Sequence, residues 1–235
     1  MPRPRSRIRY TAGSGALPAR PMTRSVPSVD PWTAGEMFVS PHIEERRRGF
    51  AILCGSEAAR GSSLTPHLLA SRVDEPDLTL RCQIVHVLGD YFEIRGRGHR
   101  YPPEVRGAVA GELRKFERRP LLALVELLAA SREGRVSLRP ESLRRLCERI
   151  PNASTWLTTI SGDRAVPVHV RQSAIELIGL VGFVDSAPAL QGLLLRLEGR
   201  QAGQLTMLFA PNDHPEDRAL LPALRDTLNV LTEDQ

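Results

Sequence analysis

The residues best suited to chemistry in this chain form a short basic segment, Arg95-Gly-Arg97-Gly-His99-Arg100-Tyr101. Arg95, Arg97 and Arg100, with Arg106 just beyond, outweigh Glu104. Glycines allow close backbone approach, and a ring such as Tyr101 can stack on a base. The chemistry on offer is recognition of phosphate and single-stranded bases. The N-terminus adds to it, because Arg3, Arg5, Arg7, Arg9, Arg20 and Arg24 face only one acid, Asp30, in the first 30 residues. Against this stands a plainer reading, a solvated loop between helices. Lys115 is the only lysine among 32 basic residues, a bias that points to a GC-rich genome and lowers the weight of any arginine count. The net charge of +5 belongs wholly to the first 30 residues, so the body is neutral and makes no general case for nucleic acid.

Other reactive residue types do not assemble into known patterns. The sequence holds no Gly-x-Ser-x-Gly elbow, P-loop, dinucleotide fingerprint or His-Glu-x-x-His. His42, His67, His86, His99, His169 and His214 are scattered singly, and His86, five residues after Arg81, reads as solvent-facing. Cys54, Cys82 and Cys147 are far apart and lack ligand spacing. They read as small buried hydrophobes of a reducing compartment, which places the chain in the cytoplasm. The cluster Asn212-Asp213-His214-Pro215-Glu216-Asp217 reads as a helix start with acidic residues at its positive end rather than a metal loop. No catalytic residue, cofactor or metal is therefore expected. No uncharged stretch approaches the ~18 apolar residues that span a bilayer, so no membrane partner is expected either.

The elements that would position these residues are helices. Hydrophobic residues make up 41% of the chain but aromatics only 5%, a Leu/Ala/Val/Ile core that suits helix packing. Residues 1–40 mix Pro, Gly, Ser and Arg without an apolar period and read as a disordered tail. From residue 41 to 235 the chain reads as helices, with a loop over 95–103. Three segments share an arginine, seven residues and a glycine: Arg47 to Gly55, Arg81 to Gly89 and Arg171 to Gly179. Apolar residues at offsets four and seven make one helical stripe, and the glycine reads as a helix stop. A degraded copy starts at Arg106. Asp77 is placed to cap the helix that carries Arg81.

The segments PDLTLRCQIVHVLGDY (76–91) and PVHVRQSAIELIGLVG (167–182) resemble HEAT repeats, including the HEAT-like repeats of phycobilin lyases and of many bacterial proteins. The resemblance implies an all-α fold, an armadillo-like α-solenoid of about four to five helical hairpins stacked so that each buries its neighbour's apolar face. It further implies that Arg47, Arg81 and Arg171 tie one unit to the next. The pattern fails between residues 94 and 162. On this reading the chain is a non-enzymatic scaffold whose concave face binds a polypeptide. Offsets two and five from each arginine nominate Gln83, His86, Ser173 and Glu176, with Gly49 and Ile52 in the first copy. Nucleic-acid binding through the tail and residues 95–101 is the second reading. A HEAT-like lyase or DNA glycosylase is the third, and for the latter only Trp156 is available as an aromatic within the array.

Overall fold

The computed structural model describes residues 30–55, 57–96, 98–198 and 215–233. Within them the chain forms α1 (Pro31–Phe38), α2 (Ile43–Cys54), α3 (Glu57–Arg60), α4 (Leu64–Ser71) and α5 (Leu78–Asp90). A two-stranded hairpin follows, β1 (Ile94–Arg95) and β2 (Gly98–His99), turning at Gly96 with φ of +60°. Then come α6 (Pro103–Leu113), α7 (Arg118–Arg132), α8 (Pro140–Cys147) and α9 (Ala153–Gly162). The last are α10 (Val168–Val181), α11 (Ala187–Leu197) and α12 (Leu221–Glu233), with 3₁₀ turns at Val184–Ser186 and Pro215–Leu220. None of these helices is long and apolar enough to cross a membrane. One apolar cluster runs through the array, from Phe38 and Leu69 through Leu88, Leu124, Leu146 and Ile178 to Leu224.

The tail boundary at residue 40 is corrected. Pro31–Phe38 is a helix, with Ala34 and Phe38 fully buried. It lies so close to α2 that a Cβ at Gly49 would sit 2.5 Å from the backbone nitrogen of Phe38. A pattern search sees no period in one short helix of eight residues. The remainder of the supposed tail, residues 1–29, lies outside the described residues.

Residue pairs between helices fix their relative direction. Arg46 meets Glu75 and Arg47 meets Asp77, joining the start of α2 to the start of α5. Arg119 meets Asp74 while Arg81 reaches Ala123 and Glu126, so α5 and α7 advance together. Arg118 pairs with Asp163 and Arg132 with Glu176, which aligns α7 with α10. Arg171 pairs with Asp217, and Thr227 donates to the Ile175 carbonyl, which aligns α10 with α12. The five helices α2, α5, α7, α10 and α12 therefore run in the same sense, each linked to the next by an arginine.

Four arginines share one helical position, and three of them, Arg46, Arg81 and Arg171, contribute to these links. Arg46, Arg81, Arg106 and Arg171 each occupy the fourth residue of a helix. Each donates back to a carbonyl of the preceding segment: Arg46 to Pro41 at 2.7 Å, Arg81 to Glu75 at 2.6 Å, Arg106 to Tyr101 at 3.2 Å and Arg171 to Ser161 at 2.9 Å. A cation near a helix N-terminus opposes the macrodipole, so the site needs compensating acceptors. Arg46, Arg81 and Arg171 find them in Glu75, Glu126 and Asp217.

The first copy of the sequence pattern is therefore out of register by one residue. Arg46, not Arg47, is the counterpart of Arg81 and Arg171. Arg46 is 8% exposed, whereas the Arg47 side chain is 45% exposed. Ala51 faces outward where Val85 and Ile175 are buried, because Phe50 takes the inward place. Of the three glycines only Gly55 is a helix stop, the C-cap of α2. Gly89 and Gly179 lie inside their helices, at close crossings with Ser142 of α8 and Thr227 of α12. The stop of α10 is Gly182, at φ +82°. Asp77 does cap α5, accepting from Leu80 N at 2.8 Å.

Two substitutions test this register. Arg46→Ala leaves the fully buried Glu75 carboxylate with Arg72, 3.6 Å away, as its remaining cation and should cost up to about 3–5 kcal/mol in urea unfolding, while Arg47→Ala should cost less than about 1 kcal/mol. Equal losses would return the pattern to Arg47. Gly89→Ala would place a Cβ 2.7 Å from the Ser142 Cα and should destabilise by about 1–3 kcal/mol. Gly107→Ala, with nothing within 4 Å, should instead stabilise α6 by about 0.5–1 kcal/mol in the same assay.

Candidate functional site

The four nominated residues have different fates. Gln83 is exposed on α5, as the offset rule expects. Ser173 is wholly buried, and its hydroxyl has no hydrogen-bond partner. The physical reason is neighbour number: α10 packs against α7, α8, α9 and α12, so the offset that faces outward on α5 is covered on α10. Ser173 is withdrawn from the surface. Gly49, nominated in the first copy, is buried against α1, and Ile52 is half-buried.

His86 is half-buried rather than solvent-facing. Its Nε2 accepts from the backbone nitrogen of Arg139 at 2.9 Å and lies 3.6 Å from the Cys82 sulfur. That bond occupies the ring nitrogen at the start of α8, where a helix leaves orphan N–H groups. Burial, and then the Arg139 charge, push its pKa below 6.5, with Asp90 opposing. The neighbouring Cys82 thiol donates to the Ser137 carbonyl, and burial raises its pKa. A histidine whose nitrogen is already engaged and a thiol held protonated make a structural contact rather than a nucleophilic pair. Cys54 and Cys147 are buried too, and desolvation lifts both to about 12.

Glu176 is half-buried between Arg132, 2.5 Å away, and Gln172, 3.3 Å away. Burial raises its pKa, Arg132 opposes that rise, and the charge of Asp226 adds to it. It belongs to the link between α7 and α10. Glu176 and Gln83 are not brought into one site by any contact.

The basic segment is a hairpin rather than a loop. Arg95 is exposed and paired with Glu93 at 2.9 Å, and His99 is exposed in β2. Arg97 lies outside the described residues. Arg100 lies over the Tyr101 ring, 5.4 Å from its centroid. Tyr101 itself is 6% exposed, its ring 4.8 Å from that of Tyr91 and its hydroxyl buried without a partner. The proposed base-stacking surface is thus corrected: the ring is spent on the core. An aromatic beside arginines carries no sequence mark that separates a stacking platform from a hairpin anchor. The cluster at 212–214 lies outside the described residues, while Asp217 is buried and serves Arg171 and Arg164. Among the described residues no group of three or more potential ligands could hold a metal ion.

The surface feature that sequence reasoning missed is a cleft between α2 and α5. Tied at their starts by Arg46 and Arg47, these helices leave a space of about 370 Å³ further along. Phe50, Ala51, Cys54 and Val87 supply its apolar wall, and Arg47, Arg60, Thr79 and Gln83 its polar edge. Only Gln83 was nominated. Cleft formation depends on the distance between two helices, which no single-helix period encodes. No family model, curated protein or solved structure matches the chain.

The His86 contact has a definite pH signature. A histidine held below its ordinary pKa contributes stability when neutral, and that contribution is lost as pH falls below about 6.5 toward the folded value. Urea midpoints at pH 7.5 and 5.5 should therefore differ more for the wild type than for His86→Gln, which keeps an acceptor and cannot titrate. An identical drop in both proteins would show that His86 carries no such linkage.

Proposed function

We propose that this chain is a HEAT-like binding module in which α2, α5, α7, α10 and α12 are the second helices of five stacked hairpins. Its role is to hold a polypeptide segment rather than to catalyse a reaction. The helix sense and the inter-helix arginines support the stacked arrangement, since such units gain stability mainly from their neighbours. The observation that carries the binding role is the open cleft between α2 and α5. It combines an apolar wall with polar edges, the composition that a side chain of a peptide can enter while its backbone meets donors and acceptors. Of two other openings among the described residues, the one beside Arg171 is lined by the Arg171–Asp217 pair and the one between α1 and α2 mostly by charged and polar side chains, so neither offers a comparable apolar wall. The nucleic-acid reading loses its stacking residue with the burial of Tyr101, and the catalytic readings have no assembled group to work with among the described residues.

Ala51 and Gln83 are both exposed cleft residues, so replacing them with arginine fills the space without touching the core. Affinity capture with the wild type should recover polypeptides that the Ala51→Arg/Gln83→Arg variant loses. An unchanged set of captured proteins on a folded variant would remove the cleft from the function.

A further inference from the structure

Resting on that cleft reading, we infer that the segment bound between α2 and α5 carries an acidic side chain next to an apolar one, and that Arg60 receives the carboxylate. Arg60 ends α3 and lines the cleft. Its main chain is anchored from one side, where the Tyr91 hydroxyl donates to the Arg60 carbonyl at 2.7 Å. Its side chain is anchored from the other, where Nε donates to the Cys54 carbonyl at the end of α2 at 2.8 Å. The guanidinium is thus positioned before any ligand arrives, and its two terminal nitrogens have no carboxylate partner among the described residues. A planar fork with one edge engaged and the other open is suited to a carboxylate, which can accept two N–H bonds at once.

The rest of the lining agrees in charge. Arg47 is the second cation of the cleft, and it is already balanced by Glu44 and Asp77. None of the described residues that line the cleft is acidic, so among them Arg60 is the cation without a carboxylate partner. The Cys54 thiol, held protonated, adds none of the opposite sign. Phe50, Ala51 and Val87 beside it offer apolar contact for a neighbouring side chain. The chain's own first 29 residues, with six arginines and no acid, have the wrong charge to fill this site. An acidic and apolar segment of a partner protein has the right one.

The test begins with a phage-displayed library of random dodecapeptides selected on the full chain. Selected peptides are then synthesised and measured by fluorescence polarisation. The inference expects sequences enriched in Asp or Glu beside aliphatic or aromatic residues, with binding abolished by Ala51→Trp, which fills the cleft without adding charge. Changing the acid of a selected peptide to its amide should weaken binding to the wild type roughly tenfold, as expected for a charge-assisted contact. The same change should have little effect on the Arg60→Gln protein. Because the amide swap alters only the peptide, it reads the contact even if Arg60→Gln perturbs α3. Peptides blocked by Ala51→Trp but indifferent to the amide swap would overturn the acidic partner and leave the cleft reading standing. Selected peptides indifferent to Ala51→Trp, or a failed selection, would overturn both.

Discussion

Glu75 is the residue on which the first half of the structure turns. Its carboxylate is fully buried and accepts two nitrogens of Arg46, while its backbone carbonyl accepts from Arg81. Arg81 in turn reaches Ala123 and Glu126 of α7. One acidic residue between α4 and α5 therefore connects three of the same-sense helices. A buried ion pair is a poor source of net stability, since removing two charges from water costs about what their attraction returns. Its value lies in geometry. A helix displaced along its neighbour would strand a charge in the interior, so the pair selects one registration among many that the apolar stripes alone would tolerate.

The same device recurs at the far end with different parts. Arg171 is almost wholly buried and pairs with Asp217 at 2.5 Å, and Arg164 meets the other oxygen of that carboxylate. Burial would raise the pKa of Asp217, but the hydrogen bond and charge of Arg171, with those of Arg164, hold it below the ordinary value. The acid comes from the segment before α12 here, and from the segment before α5 in the pair with Arg46. Close crossings add to these ties: Gly89 of α5 admits Ser142 of α8, and Gly179 of α10 admits Thr227 of α12. Ionic ties at the helix starts and small residues near the helix ends fix both position and spacing. Between α2 and α5 the ties at the helix starts leave a cleft.

That contrast explains which parts of the site were legible. Period and turn residues locate nearly every helix after residue 41, and Asp77 is identifiable as a cap because capping is a local hydrogen bond. Arg81 and Arg171 stand out because they recur at one distance from a glycine. Arg46 was hidden by its neighbour Arg47, since two adjacent arginines give the pattern two registers and only the neighbouring helix distinguishes them. Gln83 was found by offset, and Ser173 was misplaced by the same rule. An offset describes one helix, while exposure depends on how many helices surround it.

What the sequence by itself determined is the helical content, the neutral body behind a basic N-terminus and the recurrence of Arg81 and Arg171 at one distance from a glycine. These follow from local propensity, from counting charges and from residue periods along one chain. Tertiary structure alone decided that Arg46 is the buried partner of Glu75, that Tyr101 serves the core and that α1 belongs to the packed body. It alone opened the cleft that Arg60 lines. Each of these depends on distances between residues about 10 to 40 positions apart, set by how neighbouring helices pack, and packing is a property of pairs of surfaces rather than of any one segment.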